Sequence, residues 1–145
     1  MTKPKVLFLC TANSARSQMA EALLRKQAGD RFDVYSAGLE PTQVHPYAMK
    51  VMAEIGIDMA GHRAKGVEES LGKMNPAYVI IVCENARQRC PTAFPATGAT
   101  MLAWPIEDPA KAEGTEEDRL CNFREARDQI AARIKDWLDA FRSGE

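Results

Sequence analysis

Cys10 closes the apolar run Val6-Leu7-Phe8-Leu9 and is followed by Thr11-Ala12-Asn13-Ser14-Ala15-Arg16-Ser17. A sulfur nucleophile, five small or polar residues, a guanidinium and a hydroxyl thus stand between a strand-like segment and a helix-like one. That set suits a reaction at a tetrahedral oxyanion. A short loop entering a helix converges its backbone N–H groups on one point, and the helix N-terminus adds partial positive charge there. Thr11, Ala12, Asn13, Ser14, Ala15 and Arg16 form the expected oxyanion-binding loop, with the planar fork of Arg16 holding two oxygens. The same positive setting favours Cys10 as thiolate, the nucleophilic form. A hydrogen bond from Ser17 to the sulfur favours it further. An ordinary βα turn with a small buried cysteine accounts for Cys10, but not for its company.

Cys83 and Cys90 bracket Glu84-Asn85-Ala86-Arg87-Gln88-Arg89, and Pro91 follows. The intervening residues favour a helix that Pro91 stops. Seven helical residues advance the chain by roughly 10 Å, whereas a disulfide needs Cα atoms within about 7 Å. The pair cannot bridge while that helix is intact. By itself it reads equally well as a buried strand-end residue with a bystander and as a redox pair, because the spacing is not a compact C-x-x-C. Cys10 on the same sheet edge favours the redox reading. Cys121 lies beside the apolar stripe of the last helix and is expected to be a non-catalytic thiol. Asp108, held extended or in a turn by Pro109, is a candidate acid for protonating a leaving oxygen. Glu107 competes for that role, and an Asp-Pro is often only a turn or cap.

The elements that position these residues alternate between strand-like and helix-like, which predicts an α/β fold with a parallel sheet and helices on both faces. Strands are expected at Lys5 to Leu9, Asp33 to Ala37 (closed by Gly38), Tyr78 to Val82 and, more weakly, Thr100 to Trp104. Helices are expected around Met19, Leu23 and Leu24 up to Gly29, from Pro46 towards Gly56, and briefly within Val67 to Met74. Met59 to Gly66 reads as a loop, and His45 and His62 as surface or loop residues without a catalytic role. Thr115 and Asp118 resemble a capping box opening a long helix striped by Leu120, Phe123, Ile130, Ile134, Trp137, Leu138 and Phe141. Cys10 and Cys83 end the first and third strands, and ligands in such sheets bind at the carboxyl ends of strands.

The chain of 145 residues is expected to form a single domain, 1–145, able to bury a core without metals or disulfides. A net charge of −1 leaves no electrostatic footprint for nucleic acid. Hydrophobic residues make up 46%, which argues against disorder. No apolar stretch approaches the ~20 residues a bilayer span needs, so no membrane association is expected. The start, Met1-Thr2-Lys3-Pro4-Lys5, runs straight into a strand, predicting no secretory signal and a cytoplasmic location. There the four cysteines are expected to be catalytic, redox-active or metal-binding rather than structural staples. A zinc site is disfavoured because no C-x-x-C pair occurs.

With these residues in place, the chain resembles the thioredoxin-coupled arsenate reductases, which share a fold with low-molecular-weight protein tyrosine phosphatases. The likeness covers Cys10 through Glu21, Val34-Tyr35-Ser36-Ala37-Gly38, Gly56-Ile57-Asp58, Cys83 with Cys90-Pro91, Asp108-Pro109 and Gly114-Thr115-Glu116-Glu117. It implies a single three-layer domain with a four-stranded parallel sheet. It also implies a relay: Cys10 attacks arsenate with help from Asp108, Cys83 attacks Cys10 to release arsenite, and Cys90 then takes the disulfide, which thioredoxin reduces. Arsenate and thioredoxin are the implied partners, with reducing equivalents from thioredoxin, no bound cofactor, no metal and a monomer expected.

The likeness is incomplete at three positions. Ala12 and Ala15 replace a glycine and a cysteine found in some members, and Ala12 restricts the loop backbone. Some members bind potassium through residues matching Asn13, Glu21 and Ser36 plus an acid where this chain has Lys65. A lysine ammonium beside Glu21 is expected to take the cation's place. The competing reading is a phosphotyrosine phosphatase, weakened because Ala110-Lys111 rather than an aromatic follows Asp108-Pro109, although weak phosphatase side activity is expected. A thiol redox sensor or phospho-cysteine carrier that turns over nothing is a further alternative, but neither it nor the phosphatase explains the loop, the acid and both further cysteines together.

Overall fold

The computed structural model describes residues 3–67, 75–82 and 100–144. Within them four strands form one sheet: β1 (Lys5–Cys10), β2 (Asp33–Gly38), β3 (Tyr78–Ile81) and β4 (Thr100–Ala103). Their spatial order is β2-β1-β3-β4, and every neighbouring pair is parallel. Parallel strands cannot be joined by tight hairpins, so helices intervene. The described ones are α1 (Arg16–Ala28), α2 (Pro46–Ala53) and α3 (Glu116–Gly144). The expected α/β class and its four strands are present. β1 and β2 run one residue further than the pattern implied, to Cys10 and Gly38, because both stay paired there. β3 and β4 stop one residue early, at Ile81 and Ala103. The short helix expected over Val67 to Met74 lies, beyond Val67, outside the described residues, as does the whole segment 83–99.

Side chains alternate between the two faces of a strand, yet Val6, Leu7, Phe8 and Leu9 are all fully buried. β1 is therefore covered on both faces, as a central parallel strand should be. Each large apolar side chain buried this way contributes about 1.5–3 kcal/mol. α1 and α3 pack against each other, and the α3 stripe supplies Leu120, Phe123, Ile130, Ile134 and Leu138 to the core. Trp137 sits at the centre of an aromatic cluster, with ring centroids 5.3 Å from Phe32 and Tyr78 and 6.1 Å from Trp104. No described helix is long and apolar enough to cross a membrane.

The strand order locates the site. β2 and β3 lie on opposite sides of β1, so the chain reverses its direction across the sheet at β1. In open parallel sheets a crevice forms at the carboxyl ends of the strands where that reversal occurs. Cys10 is the last residue of β1.

The three helices begin differently. α2 starts at Pro46, whose fixed φ suits the first helical position, and the ring of His45 accepts a hydrogen bond from the Tyr47 N–H (3.0 Å). α3 opens with the expected capping box: Asp118 N–H donates to Thr115 Oγ1 (3.1 Å) and Thr115 N–H to Asp118 Oδ2 (3.2 Å). α1 has Ala15 at its cap, no side-chain capping bond and no acid in its first turn. No side chain of its cap residue takes its first N–H groups, as an anion-binding helix start requires.

Candidate active site

Cys10 is 2% exposed and lies opposite Gly38 in the β1–β2 register. A cavity of about 130 Å³ opens beside it, lined by Cys10, Ala12, Ser14, Ala15, Arg16, Thr42, Asp108 and Ala110. Three separate parts of the chain thus meet: the loop after β1, the segment after β2 and the turn after β4. Of the six residues expected to bind an oxyanion, Ala12, Ser14, Ala15 and Arg16 line this cavity. The Asn13 side chain turns the other way, into a buried network behind the loop.

Asn13 is the one described non-glycine residue with a positive φ, 49°, a conformation asparagine tolerates better than most. Its side chain explains why it stays there. Nδ2 donates to Ser17 Oγ (2.8 Å) and Ser36 Oγ (3.0 Å). Oδ1 accepts from Gln18 Nε2 (2.9 Å) and from the Lys65 backbone N–H (2.8 Å). Ser36 in turn donates to Glu21 Oε1 (2.5 Å). Asn13, Ser17, Gln18, Glu21 and Ser36 are all buried, and no buried side-chain polar atom among the described residues lacks a partner. A buried polar network satisfied this fully stiffens the loop that it backs. Ser17 Oγ accepts from Asn13 Nδ2, which leaves its hydroxyl proton to donate, as a bond to the Cys10 sulfur requires.

Lys65 reaches the same network. Its Nζ lies 3.5 Å from Glu21 Oε1 and 3.5 Å from Ser36 Oγ, and donates to Arg63 O at 3.0 Å. The ammonium stands beside Glu21, as the resemblance implies.

Arg16 closes the far side. Its Nη1 donates to Ile106 O (3.0 Å) and its Nη2 lies 3.7 Å from Asp108 Oδ2. The first contact ties α1 to the chain leaving β4. Asp108 caps a single 3₁₀ turn, Pro109–Lys111, by accepting from Ala110 N–H (3.0 Å) through Oδ1, so its other oxygen is the one turned to Arg16. Glu107 is exposed and does not line the cavity. Cys83 and Cys90 lie outside the described residues. Val82, immediately before Cys83, donates its N–H to Leu9 O (2.9 Å), so the described chain stops beside the end of β1.

Two residues matter more than their sequence context suggested. Gln18, fully buried, donates to Asn13 and to Arg63 O (2.8 Å), and pairs with His62 Nδ1 (2.8 Å). His62 is a loop residue but not a surface one, with a side chain 12% exposed and 3.8 Å from Glu21. Burial pushes its pKa below 6.5, against the opposing pull of Glu21. His45 is lowered too, first by burial and then by the charge of Arg119. Cys121 is exposed on α3, with Arg124 Nη1 3.7 Å from its sulfur.

The geometry has counterparts among known proteins. Residues 5–144 match the model of the low molecular weight phosphotyrosine protein phosphatase family. An arsenate reductase of Halalkalibacterium halodurans is 42% identical over 139 residues, which are 96% of this chain and 98% of that protein. A solved arsenate reductase in its phosphate-binding state superposes with a TM-score of 0.76 at 31% identity, covering 94% of this chain and 98% of the other. A thioredoxin-dependent arsenate reductase of Corynebacterium glutamicum matches 99% of this chain and 64% of its own, with a TM-score of 0.71 at 27% identity.

Proposed function

The chain belongs to the low molecular weight phosphotyrosine protein phosphatase family and groups with its arsenate reductases, and from that premise we propose that it reduces arsenate to arsenite by a three-cysteine relay renewed by thioredoxin. The observation that carries this reading is the meeting of buried Cys10, Arg16 and Asp108 around one small cavity at the uncapped start of α1.

In the first step the Cys10 thiolate attacks arsenic and an S–As bond forms as a hydroxyl departs. Loop amides and Arg16 hold the other oxygens, where preorganised donors have most effect. Asp108 supplies the leaving oxygen's proton, and its place on the cavity wall, with Glu107 outside, favours it as the acid. In the second step Cys83 thiolate attacks the Cys10 sulfur. The S–As electron pair leaves with arsenic, so As(V) becomes As(III), and Cys10 and Cys83 are joined by a disulfide. Cys90 thiolate then attacks Cys83 and frees Cys10. Thioredoxin, a dithiol, takes the resulting Cys83–Cys90 disulfide by exchange. Two electrons pass from thiols to arsenic in each cycle, and no bound cofactor takes part. The similarity to a thioredoxin-dependent reductase supports this choice of reductant.

The small side chains Ala12, Ser14, Thr42 and Ala110 on the cavity wall fit a bare inorganic oxyanion, and no described lining residue offers a ring for an aryl phosphate to stack on. Phosphatase turnover should therefore be weak and need only Cys10. The test is turnover with arsenate, thioredoxin, thioredoxin reductase and NADPH. Cys10→Ser, Cys83→Ser and Cys90→Ser are each expected to abolish multiple turnover. Full turnover by Cys83→Ser refutes the relay.

A further inference from the structure

The carbonyl oxygens of the anion loop are taken up in succession by the chain leaving β2. Leu39 N–H donates to Cys10 O (3.2 Å), Glu40 to Thr11 O (2.8 Å), Thr42 to Ala12 O (3.1 Å) and His45 to Ser14 O (3.0 Å). In a planar trans peptide the C=O of one residue and the N–H of the next point in opposite directions. Drawing these four carbonyls outward therefore turns the N–H groups of Thr11, Ala12, Asn13 and Ala15 inward, as an anion cradle requires. Segment 39–45 is a mould against which the loop is cast.

A mould works only at the right distance, and Gly38 sets it. A Cβ on Gly38 would lie 2.7 Å from Asn13 N, 2.7 Å from Thr11 O and 2.9 Å from Ala12 C, all backbone atoms of the loop. Its φ is not in the left-handed region, so the need is for space rather than for conformational freedom. Retreat is blocked on the other side, where Gly38 N–H donates to Lys65 O (2.8 Å) and bridges to Gly66. Any side chain here must displace the loop.

We propose that Gly38 is a positioning residue for the reaction, its missing side chain setting how closely segment 39–45 backs the loop and so how well the loop amides converge on the oxyanion. The proposal rests on Cys10 being the nucleophile of an oxyanion loop, and its test keeps the two ideas apart. The background is the Cys83→Ser, Cys90→Ser, Cys121→Ser protein, in which Cys10 is the remaining one of four cysteines. Alkylation of Cys10 by iodoacetamide is followed against pH, with and without inorganic phosphate. In that background the thiol is expected to react as one ionising below the ordinary value of about 8.5, and phosphate is expected to protect it.

Gly38→Ala should raise the midpoint and weaken protection by phosphate at least about tenfold, as expected when preorganised donors are displaced. Gly61→Ala, whose Cβ meets nothing within 4 Å, should change neither. If Gly38→Ala gives no folded protein, Thr42→Pro at an exposed position removes one backing N–H, and about threefold weaker protection is expected. A folded Gly38→Ala protein, or in its place Thr42→Pro, that keeps the original midpoint and phosphate protection overturns the proposal. A background protein whose Cys10 reacts as an ordinary thiol and ignores phosphate overturns the nucleophile reading beneath it.

Discussion

Two helix N-termini in this molecule are built on opposite plans. α3 is complete: Thr115 and Asp118 cap one another, and Glu116, Glu117 and Asp118 set negative charge against the positive end of the helix dipole. α1 has an alanine at its cap, no acid in its first turn and a cationic Arg16 as its first residue. By the rules that stabilise isolated helices α1 begins badly, forgoing about 1 kcal/mol for the missing cap alone. Its start is instead held from behind, by Asn13 and the buried groups around it. A helix end already satisfied has nothing to offer a ligand. The end without a side-chain cap is the one that faces Cys10 across the cavity.

Supplying α1 with the charge it lacks should break the contrast most severely. Ser14 is half-buried on the cavity wall. Ser14→Asp places a carboxylate where the oxyanion must sit, and arsenate turnover is expected to fall at least about a hundredfold. Thermal unfolding should change little, because a carboxylate also suits a helix N-terminus. A variant that retains turnover would show that the anion binds elsewhere.

The next effect is smaller and concerns the cation behind α1. Lys65 Nζ stands 3.5 Å from Glu21 Oε1, and the ammonium balances that buried carboxylate with the help of Arg25, 2.9 Å from Oε2. Turnover measured in potassium and in sodium at equal ionic strength is expected to agree within about twofold, since the site already has its monovalent charge. A several-fold rise in potassium alone would contradict this.

At α3 the expectation is reversed. Thr115→Ala removes one half of the capping box, and a loss of about 1 kcal/mol of stability is expected from denaturant unfolding. Arsenate turnover should not change, because α3 begins outside the cavity. If turnover falls with stability, the two ends are coupled and the contrast drawn between them is too simple.

What was legible beforehand follows from how local each signal is. Cys10, Arg16 and Asp108 were recognisable because a strand end, a helix start and an Asp-Pro each leave a mark in a few adjacent residues. The parallel sheet then had to bring them to one edge. Gln18 and His62 left no such mark: a glutamine in a helix and a histidine in a loop are ordinary when taken alone, and their contact spans 44 positions. Gly38 read simply as the close of a strand, since its need for space arises from the backbone of Thr11 to Asn13, a distant part of the chain. Glu107 and Asp108 are chemically alike, and only the facing of the turn at Pro109–Lys111 separates them. Cys83 and Cys90 were conspicuous in sequence but lie outside the described residues, so the relay rests on their spacing and on the resemblance.

The smallest expected effect distinguishes the two ends by pH. His62 belongs to the network behind α1: its Nδ1 is 2.8 Å from Gln18 Oε1, and the neutral ring can donate there while staying largely out of water. Burial, reinforced by the charges of Arg25 and Lys65, outweighs Glu21 and holds its pKa below the 6.5 of an exposed ring. The folded protein therefore binds a proton at His62 less readily than the unfolded chain does. The stability this represents is fully present above about pH 6.5 and is lost as pH falls through that value towards the folded pKa. Asparagine in its place can still donate to Gln18 but does not titrate. His62→Asn should accordingly lose less stability than the natural protein between about pH 7.5 and pH 5.5, as measured by denaturant unfolding at both. His45 is lowered in the same direction but is present in both proteins, so it cancels from the comparison. Equal losses would mean that the ring at position 62 is hydrated enough to titrate normally, and that the rear of the α1 loop is wetter than its hydrogen bonds imply.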